Sequence, residues 1–435
     1  MPNLRILCAA DLHIGRRPSR LPEAWQGGRI SGTTAWRDLV DYALKEGADL
    51  VLLAGDVVDR PNRSFEAYGP LNAGLERLKE GGVPVVAVAG NHDFDTLPDL
   101  ATEVGDGHLV VLGRRGRWER WTLRNDEGEP QLHVDGWSFP QKHHAEDPTR
   151  GYESGEGATG DGVPVVGLLH ADLDQADSPY APVASATLRG HPVDTWILGH
   201  VHSPTLHEHP GSAPILYPGS LQALDPGEGG THGAWMVEIG RDRAPSFSHI
   251  PLSGAHYATV EIDVEGIDEP GELNARVRSA LTQHLSGLAE EEPEFLRVAC
   301  CRVRLTGRSA LHNRLGDVLE GIEDFDPGGQ AKDIRLSVDS RLVIDTRPAL
   351  DLEDLSRGSD APAHLAGLLL ATEDPDADLL EAASRHASKV TARLHFVEAG
   401  LATLDTAPGS PLVGDALRRQ AARLLDALVA GREDE

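Results

Sequence analysis

Nothing in the 435 residues approaches the run of ~20 apolar side chains that a bilayer-spanning helix needs, so no such span is expected. Cysteine is equally sparse. Cys8, Cys300 and Cys301 are too few, and odd in number, for a disulfide framework. Adjacent Cys300 and Cys301 would point to opposite faces of a strand, which suits packed thiols better than a metal pair and points to a reducing compartment. Positive charge is short as well: 40 Lys and Arg stand against 69 Asp and Glu, a formal net charge of -29. The acidity is spread along the chain, with no basic arm or tail. Such a chain is repelled by polyanions as a whole, so any nucleic-acid contact must rest on local Arg clusters and recruited cations. The apolar stretch after Met1 is cut by Asp11, too early for a signal peptide, and the expected location is cytoplasmic. What is present is a 40% hydrophobic fraction, enough for a sizeable core, in a chain long enough for two or three domains.

The chain is organised around residues 50–60, L-V-L-L-A-G-D-V-V-D-R. Five apolar residues run into Gly55-Asp56, the signature of a buried strand that turns at its C-terminal end. In open α/β sheets that end faces the crevice where sites are built. The same arrangement recurs. Residues 4–10 end in Asp11-Leu12-His13, residues 83–89 in Gly90-Asn91-His92-Asp93, residues 164–169 in His170, and residues 195–198 in Gly199-His200-Val201-His202. Amphipathic helices are expected at 36–45 and 65–79, the second threatened by Gly69-Pro70. Residues 109–139 alternate, as short antiparallel strands do. Residues 146–162 are Gly- and acid-rich without periodicity and read as a surface loop.

A second, smaller region follows. Strands are expected at 257–264, 296–305, 334–338 and 342–344, with helices at 272–285 and 311–322. Beyond Pro348 the pattern turns helical, at 352–355, 363–370, 376–396 and 412–429. The expected division is therefore 1–252, an α+β domain at 253–347, and a helical segment at 348–435.

The polar strand ends supply seven oxygen or imidazole donors: Asp11, His13, Asp56, Asn91, His170, His200 and His202. No thiol is among them. This mixture suits Mn, Fe or Zn better than the oxygen-loving Ca or Mg. Seven donors are too many for one catalytic ion and right for two that share a carboxylate, for which Asp56 is the candidate. Two cations roughly 4 Å apart can make water reactive at neutral pH and offset the charge of a phosphoryl group under in-line attack. His92 lies beside the donors and is the candidate proton donor to a leaving oxygen. Asp59 is placed to orient it and keep it protonated. Arg16 and Arg17 are candidate phosphate contacts. Asp172 and Asp174 read as solvated loop residues, and Trp25 as the one aromatic suited to stacking on a base.

Together, D-x-H at 11–13, G-D-x-x-D at 55–59, G-N-H-D at 90–93, the strand-end His170 and G-H-x-H at 199–202 resemble the five motifs of the calcineurin-like metallophosphoesterases. Each alone is common; all five in order are specific. The resemblance implies a four-layer α/β/β/α sandwich followed by a small α+β cap and C-terminal helices. It assigns one metal to Asp11, His13, Asp56 and His202, and a second to Asp56, Asn91, His170 and His200. D-L-H-I-G-R at 11–16 and the long extension are most similar to the SbcD/Mre-eleven branch of DNA repair nucleases. That similarity implies two divalent ions, commonly Mn with Fe, Zn or Mg as alternatives, and 3′-to-5′ exonuclease or single-strand endonuclease activity on DNA. It also implies a partner ATPase of the SbcC/Rad-fifty type docked on the terminal helices, and dimerisation through the first domain. Two rivals stay open. One is a phosphodiesterase or phosphatase acting on nucleotides or other small phosphoesters, which the net charge favours. The other is a non-catalytic scaffold for a partner ATPase, which the intact donor set disfavours.

Overall fold

The structure is a computed structural model. It describes residues 3–21, 25, 30–59, 64–104, 109–152, 162–240, 242–291, 294–328, 334–370 and scattered positions from 381 onward. Leu50–Ala54 is buried at every residue and pairs in parallel with Leu4–Ala9 on one side and Val85–Val88 on the other. Strands covered on both faces need continuous apolar sequence, which is why these runs do not alternate. Their sheet has six strands, in the order Ser246–Pro251, Gly233–Ile239, Leu4–Ala9, Leu50–Ala54, Val85–Val88, Leu109–Val111. A second six-stranded sheet runs Thr205–His207, Ile215–Tyr217, Thr195–Gly199, Val165–His170, Pro130–Trp137, Glu119–Arg124.

The period of two decides what lies between the sheets. Ile6, Cys8, Leu50, Leu52, Val86 and Val88 form one core with Leu132, Val134, Val166, Leu168, Ile197 and Leu216 of the second sheet. The opposite faces carry helices. Leu7, Val51, Leu53 and Val85 pack against Trp36, Leu39, Leu71 and Leu75 of the helices Gly32–Glu46 and Ser64–Glu80. Trp196 and Leu198 pack with Leu188 of the short helix Ser185–Gly190. The result is the expected α/β/β/α layering.

Some local expectations shift. The helix Ser64–Glu80 runs through Pro70 without a break, and the Pro70 carbonyl accepts from Trp36 Nε1 at 3.1 Å. A short helix at Thr96–Val104 follows the third strand, where no element was expected. Leu109–Val111 extends the first sheet in parallel, while Glu119–Arg124 and Pro130–Trp137 pair antiparallel in the second.

The smaller sheet is built on parallel pairing of Ala255–Asp263 with Val298–Ser309, which in turn pairs with Arg335–Val338. Helix Pro270–Glu291 buries Leu273, Val277, Leu281 and Leu285 at helical spacing. The expected helix at 311–322 is replaced by short turns, with one α turn at Leu315–Val318 and a left-handed Gly321 at φ 80°. Its leucine spacing was helical, but Asn313, Gly316 and Gly321 give the backbone cheaper turns. By contact the chain divides into two units, Met1–Val264 with Glu269–Thr306 and Arg314–Asp345, and Glu265–Asp268 with Gly307–Asn313 and Thr346–Glu435. In the second, helices Leu352–Ser356 and Ala361–Leu370 are described. The helices expected at 376–396 and 412–429 lie largely outside the described residues, as do residues 153–161 of the expected loop. Among the described residues, no helix is long and apolar enough to cross a membrane.

Candidate metal centre

The strand ends of both sheets meet at one crevice. The chain reverses sharply as it leaves each strand, and four site residues sit in the left-handed region that side chains usually avoid: Asp11 (φ 49°), His13 (φ 43°), Asp56 (φ 49°) and His200 (φ 99°). Such backbone costs free energy and is retained where it aims a side chain. Two glycines make the approach possible. A Cβ on Gly90 would sit 2.2 Å from Asp56 Oδ1, and one on Gly199 would sit 2.0 Å from the Ala54 carbonyl.

Donor atoms of Asp11, His13 and His202 lie within 4.8 Å of one another, as do those of Asp11, Asp56 and His170, and those of His13, Asp56 and His92. Asp11, His13, Asp56, Asn91 and His170 are buried. The hydrogen bonds show which atoms are free for a cation. His170 Nδ1 lies 2.9 Å from the Ala54 carbonyl, which can only accept, so that nitrogen carries the proton. The bare Nε2 then faces Asn91 Oδ1 at 3.0 Å and Asp56 Oδ2 at 3.5 Å. Likewise His202 Nδ1 donates to Glu228 Oε1 at 2.7 Å. Its Nε2 faces His13 Nε2 at 3.3 Å and Asp11 Oδ1 at 3.8 Å. Around His170, lone pairs aimed at one another without a proton between them fit a cation, and at His202 a second cation would take the place of the Nε2 proton.

His200 is outside these three donor groups. Its backbone N–H donates to Asp11 at 3.1 Å, its ring lies 5.2 Å from that of His170, and its Nε2 is 3.4 Å from Asp172 Oδ2. Asp172 is thus turned to a site imidazole and is not the solvated residue expected. Asp174 is exposed and accepts from the Ser185 N–H. Asp59 Oδ1 lies 3.3 Å from His92 Nδ1 and 3.5 Å from His13 Nδ1, so it serves two rings. Asp93 joins the loops by accepting from the N–H groups of Gly90, Val57 and Val58 at 2.7, 2.7 and 3.3 Å.

The electrostatics follow these contacts. His13 and His92 hold the Asp59 carboxyl far below the usual carboxylate range. His92 is raised, chiefly by its hydrogen bond to Asp59. Burial opposes the Asp56 carboxylate, but His170, His13 and His92 around it keep its pKa low. Burial also pulls His202 down, yet Glu228 and Asp11 outweigh it and push the ring up to about 9. A cation would displace that proton.

Arg16 reaches Asp225 at 3.7 Å and is about a third exposed; Arg17 is exposed. Trp25 is half-buried. It packs beside Leu21, Ile30, Tyr257 and Cys300, with the Arg335 guanidinium 5.4 Å from its ring centre. Glu228 escaped sequence reading: it is 26 residues from the His202 it contacts, in a stretch with no motif.

The sequence profile of the calcineurin-like phosphoesterases matches residues 4–204, and that of the middle domain of metallophosphoesterase YhaO matches 257–324. An uncharacterized metallophosphoesterase, YhaO of Bacillus subtilis, is 31% identical over 248 residues, 55% of this chain and 58% of that protein. The chain thus spans less than two thirds of that relative. The DNA double-strand break repair protein Mre11 of Aeropyrum pernix is 26% identical over 302 residues, 67% of this chain and 71% of that protein. Mre11 of Methanopyrus kandleri is 23% identical over 342 residues, 74% of each.

Proposed function

The chain carries a calcineurin-like metallophosphoesterase domain, and from that premise we propose that it is a manganese-dependent nuclease that hydrolyses DNA phosphodiesters in strand-break repair. A phosphoester hydrolase with a dinuclear divalent-cation site follows from the domain itself. The nuclease reading draws support from the two Mre11 relatives, each aligned over more than two thirds of its length. The observation that carries the chemistry is the bare His170 Nε2 facing the Asn91 and Asp56 oxygens.

In this reading Asp11, His13, Asp56 and His202 hold one cation, and Asp56, Asn91, His170 and His200 the other. When bound, the pair supplies Lewis acidity, making water nucleophilic near neutral pH and offsetting phosphoryl charge. The protein does the rest. The Asp59 carboxylate lies 3.5 Å from His13 Nδ1, on the side of the ring away from His202. His92, 30% exposed at the rim, gives its Nδ1 to Asp59 and keeps Nε2 for substrate. Held protonated, it donates to the departing ester oxygen. Arg16 and Arg17 contact backbone phosphates. Residues 253–347 act as a cap that selects DNA, and 348–435 bind an ATPase of the SbcC/Rad-fifty type, with the protein in the cytoplasm as a homodimer.

The test is a cleavage assay with Mn²⁺, offering linear double-stranded DNA, single-stranded DNA circles and a small aryl phosphodiester. Shortening of DNA from its 3′ ends, or cutting of circles, is expected. Hydrolysis of the small ester with both DNAs intact would overturn the nuclease reading in favour of a small-molecule phosphodiesterase. One observation favours that second reading: the net charge of -29, which gains nothing from a polyanionic substrate.

A further inference from the structure

We propose that two carboxylates outside the ligand set, Glu228 and Asp172, are positioning residues that fix which ring nitrogen His202 and His200 present to the cations, and that they fix opposite nitrogens. The inference rests on the metal-centre reading above and concerns how that centre is kept in shape.

Glu228 Oε1 lies 2.7 Å from His202 Nδ1. A carboxylate only accepts, so Nδ1 keeps its proton and Nε2 is the nitrogen left for a cation, on the side where His13 Nε2 waits at 3.3 Å. Glu228 has no freedom to swing away. It is buried, and its other oxygen accepts from Ser220 Oγ at 2.8 Å and from the Leu224 N–H at 2.9 Å.

His200 is held the other way round. Asp172 Oδ2 lies 3.4 Å from Nε2, an ion-pair contact whose negative charge favours the proton on that nitrogen and leaves Nδ1 as the bare one. Asp172 is also fastened. Ser178 Oγ donates to it, its N–H donates to the Tyr180 carbonyl at 3.0 Å, and it pairs with Pro182 in a two-stranded ribbon. Each imidazole of the G-H-x-H pair therefore has a carboxylate behind it, and each carboxylate has a serine hydroxyl behind that.

The alternation has a geometric reason. His200 and His202 are two residues apart, and His200 is fixed close to the crevice by its own N–H on Asp11 and its φ of 99°. The Nδ1 atom lies nearer the backbone than Nε2, so a ring seated close offers the near nitrogen and a ring seated further off the far one. Exchanging either tautomer would turn an N–H toward a cation. A carboxylate behind the ring forbids that and raises the basicity of the bare nitrogen.

The full-length protein tests this in two ways. Calorimetric titration with Mn²⁺ should find two ions in the unaltered protein. In Glu228→Ala and in Asp172→Ala, one ion each should weaken by about 10–100-fold, with the other little changed. Glu228→Gln still accepts a hydrogen bond from His202 and should recover most of the loss. Nitrogen NMR of zinc-loaded, 15N-histidine-labelled protein, assigned with His200→Asn and His202→Asn, should show Nδ1 protonated in His202 and Nε2 protonated in His200. The NMR measurement uses the unaltered protein and decides the matter if an alanine variant fails to fold. The same tautomer in both rings overturns the proposal. So does unaltered two-ion binding in both alanine variants, which leaves the metal centre standing. An unaltered protein that takes up no ion removes both.

Discussion

The Asp59 carboxylate oxygen lies 3.3 Å from His92 Nδ1. The pair sets the charge of the one site imidazole that is partly open to solvent and is left out of both proposed ligand sets. Replacing His92 by Asn should lower kcat by roughly 10²–10⁴-fold while cation binding is kept, because in the proposed arrangement the ring donates a proton and holds no ion. Asp59→Asn should act on pH. His92 is raised mainly by Asp59, so without the carboxylate it loses its proton at lower pH, and the alkaline limb of the kcat profile should move toward acid. A profile that stays in place would separate Asp59 from His92 function.

Gly199→Ala should damage the centre more than its size suggests. The added carbon would meet the Ala54 carbonyl at 2.0 Å and His170 Nδ1 at 2.7 Å, the two ends of the hydrogen bond that orients His170. Overpacking of this kind costs about 1–3 kcal/mol. The expected result is a lowered thermal midpoint with loss of one of the two cations, read by metal analysis of the dialysed variant.

Stability away from the crevice should centre on Asp135. Arg120 holds it through both oxygens at 2.6 and 2.7 Å, and Tyr152 OH donates to it at 2.7 Å. Removing one partner of a buried pair leaves the other charge unmet. Asp135→Ala should therefore cost about 3–5 kcal/mol in urea unfolding. Tyr152→Phe should cost only about 1–2 kcal/mol, since one neutral donor is lost.

His256 gives a linkage prediction. Burial, with His284 and His232 nearby, lowers it from the ordinary 6.5 to about 4. The unfolded chain takes up a proton below 6.5, while the folded ring stays neutral until about 4. Its contribution is therefore complete above that upper value and is lost as pH falls through the window. Chemical denaturation from pH 7.5 down to 4 should show a smaller loss of stability in His256→Gln than in the unaltered protein. Equal losses would show that the ring does not drive this part of the acid response.

The strands that end at the centre were legible because burial on both faces demands unbroken apolar runs, and Leu50–Ala54 is such a run. The candidate donors were legible for a related reason: Asp11, Asp56, Asn91 and His170 sit where those runs stop. Residues whose role depends on a distant partner were not. Asp172 looks like loop solvation until His200, 28 positions on, is folded against it. That Trp25 packs beside Tyr257 and Cys300 could not be read either, because nothing local to it points to partners more than 200 residues away. The stretch 311–322 had the right leucine spacing and the wrong turn residues, and the turn residues prevailed.

The His170 hydrogen bond to Ala54 also has a mechanical side. Ala54 ends a strand of one sheet and His170 a strand of the other, so this contact, with the His200 N–H on Asp11, is a directional rivet between two layers whose facing strands meet through apolar packing. Any slippage between the layers would misalign the hydrolytic machinery while each sheet kept its own ladder intact. Catalysis should therefore be the first property to fail on gentle heating, well ahead of the helices and strands that spectroscopy reports.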